Sequence, residues 1–226
     1  MAKTNNPTCI KISPSDLTYL YASCKRCFYL KYKHNLSQPR TPGGINNTLD
    51  SLFKKSLINK SINEFIKIPS PQGSIIQTGR TISSTIISQR GKPDCYLEGK
   101  YDALIQFDDG TYGIVDFKAS KYSPDKIKIF KWQLWAYQYA FTHPYHDAVY
   151  PISKMGLLFI YPANFQPFGN GNYHLPVDMH WVEVEYHEQE FLKFIYEVQD
   201  LLSDDKVPPR SADCPYCKFV SETMYL

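Results

Sequence analysis

Two Cys-x-x-Cys pairs stand near opposite ends of this 226-residue chain, Cys24-Lys-Arg-Cys27 and Cys214-Pro-Tyr-Cys217. If four thiolates serve one centre, the first helix and the C-terminal tail must meet, and everything between them must form a structure whose ends close. Four-thiolate coordination suits tetrahedral zinc or an iron–sulfur cluster. A disulfide framework fits poorly, because Met1 to Pro7 is polar with no apolar stretch behind it and so does not read as a secretory leader. No run approaches the roughly 20 apolar residues of a membrane span. A cytoplasmic protein with no membrane partner is the expectation. Cys9 and Cys95 stand alone and read as free thiols.

Between the cysteine pairs the patterning alternates between helix and strand. Ser13 suits a helix N-cap, Pro14 its first position and Asp16 its first turn. That helix carries Leu17, Tyr21, Cys24, Phe28 and Tyr32 at three- and four-residue steps. Residues 36–44 hold two prolines and two glycines and read as a loop. Residues 45–60 form a second helix with Leu49, Leu52, Phe53 and Leu57 on one side. Residues 75–90, rich in Thr, Ser and Ile, are extended. The clearest β signal follows: residues 96–107 and 111–118 flank Asp108-Asp109-Gly110, a strong hairpin turn. Ser123 caps a long helix reaching about Phe141. Residues 154–161 and 181–186 are strands, 188–202 a last helix, and 204–213 a polar linker. No repeat or break divides the chain, so a single mixed α/β domain over 1–226 is expected.

Asp116 and Lys118 are two residues apart and share a strand face. Asp102 lies on the partner strand across the tight turn, so two carboxylates and an ammonium converge. Two acidic oxygens suit a hard cation such as magnesium or manganese. Such a cation activates water and stabilises a phosphodiester transition state, while Lys118 orients the water or offsets developing charge. A surface hairpin with ordinary charges is the bland alternative. Asp108 and Asp109 need only turn chemistry.

The segment Gly99-Lys-Tyr-Asp102, the turn, and Asp116-Phe-Lys118 resemble the PD-(D/E)XK nuclease superfamily in its RecB-like branch. Gln133-Leu-Trp-Ala-Tyr137 fits that branch's Gln-x-x-x-Tyr motif. Gln133 and Tyr137 share a helix face. The resemblance implies a restriction-endonuclease-like mixed β-sheet core flanked by helices, with Gln133 and Tyr137 engaging DNA. Residues 13–32 are similar to the opening helix of RecB-like exonucleases, among them the CRISPR adaptation exonucleases and the nuclease domain of AddB. Iron–sulfur members place one cysteine on this helix and three near the C-terminus. Cys24, Cys214 and Cys217 match that set. Thr223 stands where the last cysteine is expected, and Cys27 is the extra thiol that completes a two-plus-two set. On the resemblance a 4Fe-4S cluster is favoured over zinc. The histidine usual on the second helix is also missing; Asn47 or Asp50 occupies its neighbourhood, Asp50 being the acidic candidate.

These residues imply a metal-dependent deoxyribonuclease, an exonuclease on single-stranded DNA ends. Asp102, Asp116 and Asp50 would hold magnesium or manganese, Lys118 would position water, and Gln133 and Tyr137 would hold DNA. The alternative is an inactive nuclease-like DNA-binding or scaffold protein. Net charge is only +3, so any DNA-binding patch must be local. Lys54, Lys55 and Lys60 on the second helix, and Lys121, Lys126, Lys128 and Lys131 after the Asp-x-Lys strand, are the candidates.

Overall fold

The computed structural model describes residues 9–39, 44–65, 71–146 and 149–223; the polar start at 1–7 and part of the loop at 36–44 lie outside them. The chain opens with strand β1 (Ile10–Ile12) and a short turn α1 (Pro14–Asp16), which runs into a π-helical turn over Leu17–Tyr21. Helix α2 (Lys25–His34) then begins afresh. The single helix expected over these residues is therefore broken at 22–24. Cys24 is the N-cap of α2 in an extended conformation, φ −159°, so its side chain leaves the stripe it would share with Tyr21 and Phe28. Asn35 ends α2 in the left-handed region, φ 54°.

Helix α3 (Gly44–Leu57) is shorter than expected, and Asn59 at φ 62° marks the turn after it. Leu57 is buried and Phe53 half-buried, but Leu52 is 58% exposed and off the core face. The Thr- and Ile-rich stretch gives β2 (Gly73–Thr78) and β3 (Thr81–Ser83). The stretch expected as one strand over 96–107 divides into β4 (Cys95–Lys100) and β5 (Ala103–Phe107). These halves join different sheets. β4 pairs with β1 in parallel and with β3 in antiparallel; β5 pairs with β2 and with β6 (Tyr112–Lys118). Gly110, at φ 83°, closes the β5–β6 hairpin.

Helix α4 (Pro124–Thr142) crosses over from β6 to the parallel strand β7 (Ile152–Pro162). A two-stranded ribbon, β8 (Gln166–Gly169) and β9 (Asn172–His174), precedes β10 (Val177–Glu183), which runs antiparallel to β7. The central sheet has the order β10-β7-β6-β5-β2 and is mixed, since only β6 and β7 are parallel. Helix α5 (Glu188–Ser203) and a final α6 (Pro215–Thr223) end the chain. The sequence pattern missed β1, the ribbon and α6, all short elements with too few residues to display a period.

The result is a mixed α/β fold with its central sheet flanked by helices. One core contains Ile114, Leu157 and Phe159 of the sheet together with Leu134, Trp135 and Phe141 of α4 and Phe191 and Ile195 of α5. The second contains Val115, Phe117, Leu158 and Ile105, which meet Leu57 and Phe53 of α3. Alternation along β6 therefore assigns Asp116 and Lys118 to the α4 face, next to Ile114, and Phe117 to the α3 face.

Candidate active site

Asp102 lies where β4 and β5 part, between Lys100 and Ala103, rather than within a paired strand. β5 stops pairing with β6 at Ala103↔Val115, so the next stretch of β6 has a free edge. Asp102 fills it: its Oδ2 accepts the backbone N–H of Phe117 at 2.7 Å. Gly99 permits this corner. A Cβ there would lie 2.7 Å from the ring of Pro14 and 3.3 Å from the Tyr137 hydroxyl. The first residue of the Gly-x-x-Asp pattern thus has a packing reason, and the last a hydrogen-bonding one.

Asp116 and Lys118 are almost wholly buried, and the ammonium lies 2.5 Å from Asp116 Oδ2. Neither carboxylate oxygen of Asp116 has a well-directed hydrogen-bond donor among the described residues. Burial pushes this carboxyl up, to about 6; Lys118 pulls the other way, and the Asp102 carboxylate adds to the rise. Burial alone would lower the Lys118 pKa, but Asp116 and Tyr19 outweigh it and hold the ammonium above the usual lysine value. Near neutral pH both groups are ionised. Lys118 Nζ also donates to Gln133 Oε1 at 2.9 Å and to the Tyr19 hydroxyl at 3.2 Å, and it sits 4.4 Å from the centre of the Phe130 ring.

Gln133 and Tyr137 are both brought to this site, and both are buried. Gln133 spends its carbonyl on Lys118. Tyr137 donates to the Lys100 carbonyl at 2.8 Å, tying α4 to the end of β4. In this arrangement their polar atoms serve the Asp-x-Lys strand and the Asp102 corner.

Asp50 approaches through an intermediary. Lys54, one turn further along α3, places its ammonium 2.7 Å from Asp50 Oδ2 and 2.6 Å from Asp102 Oδ1. Burial opposes that charge, but the two carboxylates outweigh it and raise the lysine pKa. Asn47 is exposed. By sequence Lys54 belongs with the basic surface candidates, yet the fold half-buries it between two acids. Its spacing of four from Asp50 was the available signal; nothing in the sequence tied it to Asp102. Tyr19 carries no signal in the sequence: it lies off the apolar stripe of Leu17, Tyr21 and Phe28 and is 55% exposed. The other proposed phosphate contacts are largely engaged locally. Lys60 pairs with Glu64, Lys128 with Asp125 and Lys131 with Glu190, while Lys126 donates to the Lys121 carbonyl.

Cys24, Cys27, Cys214 and Cys217 converge, all buried, with every ligand atom within 4.8 Å of the others; Leu20, next to the Tyr19 that contacts Lys118, packs against them. The Sγ–Sγ distances are 3.6 Å for Cys24–Cys217 and 3.8 Å for both Cys27–Cys214 and Cys27–Cys217. Burial pushes the Cys27 thiol up. Burial acts on Cys214 too, yet the Cys217 backbone N–H and the neighbouring thiols outweigh it and bring that thiol below its usual value. Gln38 Nε2 stands 3.7 Å from Cys214 Sγ. Arg26 donates to the Pro208 carbonyl and Tyr29 to the Asp204 carbonyl, strapping the tail to α2 beside the thiols. Cys95 is buried elsewhere, and Cys9 is half-buried.

A sequence profile described as the PD-(D/E)XK nuclease superfamily matches residues 73–221, a span that holds Asp102, Asp116, Lys118 and Gln133. The chain belongs to the PD-(D/E)XK nuclease superfamily. A solved structure titled "Crystal structure of SSO0001" is similar in fold, with a TM-score of 0.56 and 20% identity over 98% of this chain and 87% of that one. No curated protein sequence matches significantly. Membership makes this protein nuclease-like. Among the described residues, no helix is long and apolar enough to cross a membrane.

Proposed function

We propose that this is a divalent-metal-dependent deoxyribonuclease of the RecB-like branch, an exonuclease acting on single-stranded DNA ends, with residues 1–226 working as one domain. The observation that carries the reading is the buried Asp116 carboxylate, whose two oxygens lack a directed donor while Asp102 and Lys118 stand beside it. Such a set fits a hard cation. Asp116 and Asp102 would hold magnesium or manganese, with Asp50 as the third acid. Bound there, the cation would supply an activated water and a counter-charge for the phosphoryl oxygens. The rest is the work of the chain. Lys118 presents a fixed ammonium toward the reacting water and the developing negative charge. Gln133 and Tyr19 hold that ammonium in place, and the Phe130 ring keeps it from swinging. Asp102 is itself fixed by the Phe117 N–H, so one of its oxygens remains to face a cation once Lys54 moves aside.

The cysteine centre favours one tetrahedral zinc ion over a 4Fe-4S cluster. Four bonds of about 2.3 Å to one ion put tetrahedral sulfurs about 3.8 Å apart; three of the sulfur pairs here lie 3.6–3.8 Å apart and all lie within 4.8 Å. A cluster inserts four irons between the thiolates and drives them further apart. The zinc would be structural, closing α2 against α6.

A second reading, a nuclease-like DNA binder without activity, is favoured by Lys54. Its ammonium is already shared between Asp50 and Asp102 and offsets part of their charge. One assay separates the two: end-labelled single- and double-stranded DNA with magnesium or manganese, and with chelator as control. Metal-dependent shortening of single strands from their ends is the expected result. Binding without cleavage under every condition would hand the case to the second reading.

A further inference from the structure

The ribbon between β7 and β10 has no part in the chemistry above, and its composition is unusual. Residues 163–176 contain no Asp, Glu, Lys or Arg, but they carry Phe165, Phe168, Tyr173 and His174 among the amides of Asn164, Gln166, Asn170 and Asn172. Three of the rings are strongly exposed: Phe165 69%, Phe168 65% and Tyr173 61%. Phe168 stacks on His174 at 3.8 Å and 23°, while Phe165 meets Tyr173 at 6.1 Å. Rings this exposed on a two-stranded ribbon gain little for folding, since two strands alone bury almost nothing.

The position of the ribbon is set by strand register. β6 and β7 are parallel, with Asp116 opposite Leu157 and Lys118 opposite Phe159. β7 continues past the end of β6 to Pro162, which pairs with Val177 of β10, and the Ala163 N–H extends that ladder to the Pro176 carbonyl. The ribbon therefore leaves the sheet from the end at which β6 delivers Asp116 and Lys118. At its root is an apolar cavity of about 130 Å³ whose walls include Phe53, Phe117, Ile160, Pro162 and Val177, with Asp50 at its rim. Pro162 and Val177, the residues that flank the ribbon, share this cavity with Asp50, so the foot of the ribbon adjoins the candidate acidic site.

We propose that the ribbon binds the bases of a single-stranded nucleic acid, its rings, Phe165 with Tyr173 on one face and Phe168 with His174 on the other, stacking on bases of the strand whose phosphodiester lies at Asp116. This deepens the nuclease reading and rests on it. Continuity with the candidate catalytic end argues for the substrate strand as occupant rather than a protein. The chemistry agrees. A surface of rings and neutral amides without any cation suits base faces and base edges, not phosphates. A duplex keeps its base faces stacked inside, so the platform would also select single strands.

The test compares two probes of equal length, a single-stranded oligonucleotide and its abasic counterpart, binding to the full metal-loaded chain with no magnesium or manganese added, so that cleavage plays no part. Wild type should bind the base-bearing strand at least tenfold more tightly. The triple variant Phe165→Ala, Phe168→Ala, Tyr173→Ala should lose about tenfold or more on that strand and bind the two probes alike. Because all three rings are exposed, the melting temperature should be unchanged, and this is checked alongside. Equal affinity of wild type and variant for the base-bearing strand, with cleavage intact, would overturn the platform and leave the nuclease reading standing. Failure of the wild type to bind any single strand would overturn both.

Discussion

The Asp102–Asp116–Lys118 corner and the four-cysteine centre are both buried clusters of ionisable groups, yet they are stabilised in opposite ways. At the acid–lysine corner the charges are answered by the chain itself: Lys118 against Asp116, Lys54 against Asp50 and Asp102, and the Phe117 N–H against Asp102. At the cysteine centre four thiols face one another, and the hydrogen bonds they exchange are long and weak. A cluster of this second kind gains its stability from a bound ion, because without one the thiols stay protonated with only weak mutual contacts, whereas an ion binds all four as thiolates and compensates their charge. The first site is organised before any cofactor arrives. The second, already strapped by Arg26 and Tyr29, is completed when filled.

The sharpest way to break that contrast is to remove metal. Strong chelation should lower the melting temperature by roughly 10 °C or more, since structural zinc contributes about 10–16 kcal/mol of apparent binding energy in small zinc domains and only part of it must be lost here. Cys214→Ser should approach the same result. Cys95→Ser, also at a buried cysteine but outside the cluster, should shift melting far less. Calorimetry with and without chelator tests all three, and a chelator-insensitive wild type would erase the distinction between the sites. Metal analysis belongs with it: one zinc and no iron per chain is expected, whereas several irons with visible absorption would restore the cluster.

Next in size are the two charged residues at the heart of the acid corner. Asp116→Ala and Lys118→Met should each reduce cleavage by about a thousandfold or more, through loss of the cation site and of the fixed ammonium respectively. Their effects on stability should be coupled. Lys118→Met leaves Asp116 buried and unpaired, at a cost of about 3–5 kcal/mol. The double variant Asp116→Asn, Lys118→Met should recover most of that loss, because no uncompensated charge remains. Denaturant titration of the wild type, Asp116→Asn, Lys118→Met and the double variant would show it, and strictly additive losses would mean that the pair is not the unit described here.

Smaller effects should sharpen the picture of how the corner is held. Gln133→Ala removes a hydrogen bond to a charged group, worth about 1.5–3 kcal/mol. If Gln133 acts by orienting Lys118, the loss should appear in kcat with KM nearly unchanged; a loss in KM alone would assign it to DNA contact instead. Lys54→Met should have the mildest consequence, a several-fold tightening of manganese binding as an internal competitor disappears from Asp102. Titration calorimetry reads this directly, and weaker manganese binding in the variant would make Lys54 a supporter of the site and not a competitor.

The local features of this protein were legible in its residues. The Asp-Asp-Gly turn placed the hairpin, period-two alternation put Asp116 and Lys118 on one face, and the run after Ser123 marked the crossover helix, because each signal acts within a few residues. The convergence of the cysteines was also readable, since paired thiols at both ends of a chain have few other uses. What the chain could not reveal alone is how neighbours in sequence part company in space. The stretch through Gly99 and Asp102 reads as one strand over 96–107, yet it splits because its halves pair with different strands, β1 and β3 on one side, β2 and β6 on the other. The helix after Pro14 breaks at Cys24 because its thiol is needed among the other three. Lys54 reads as surface charge until Asp102 is brought to it. In each case periodicity reports only which residues seek burial, while partner choice is a long-range decision made by strand pairing, buried charge and coordination together.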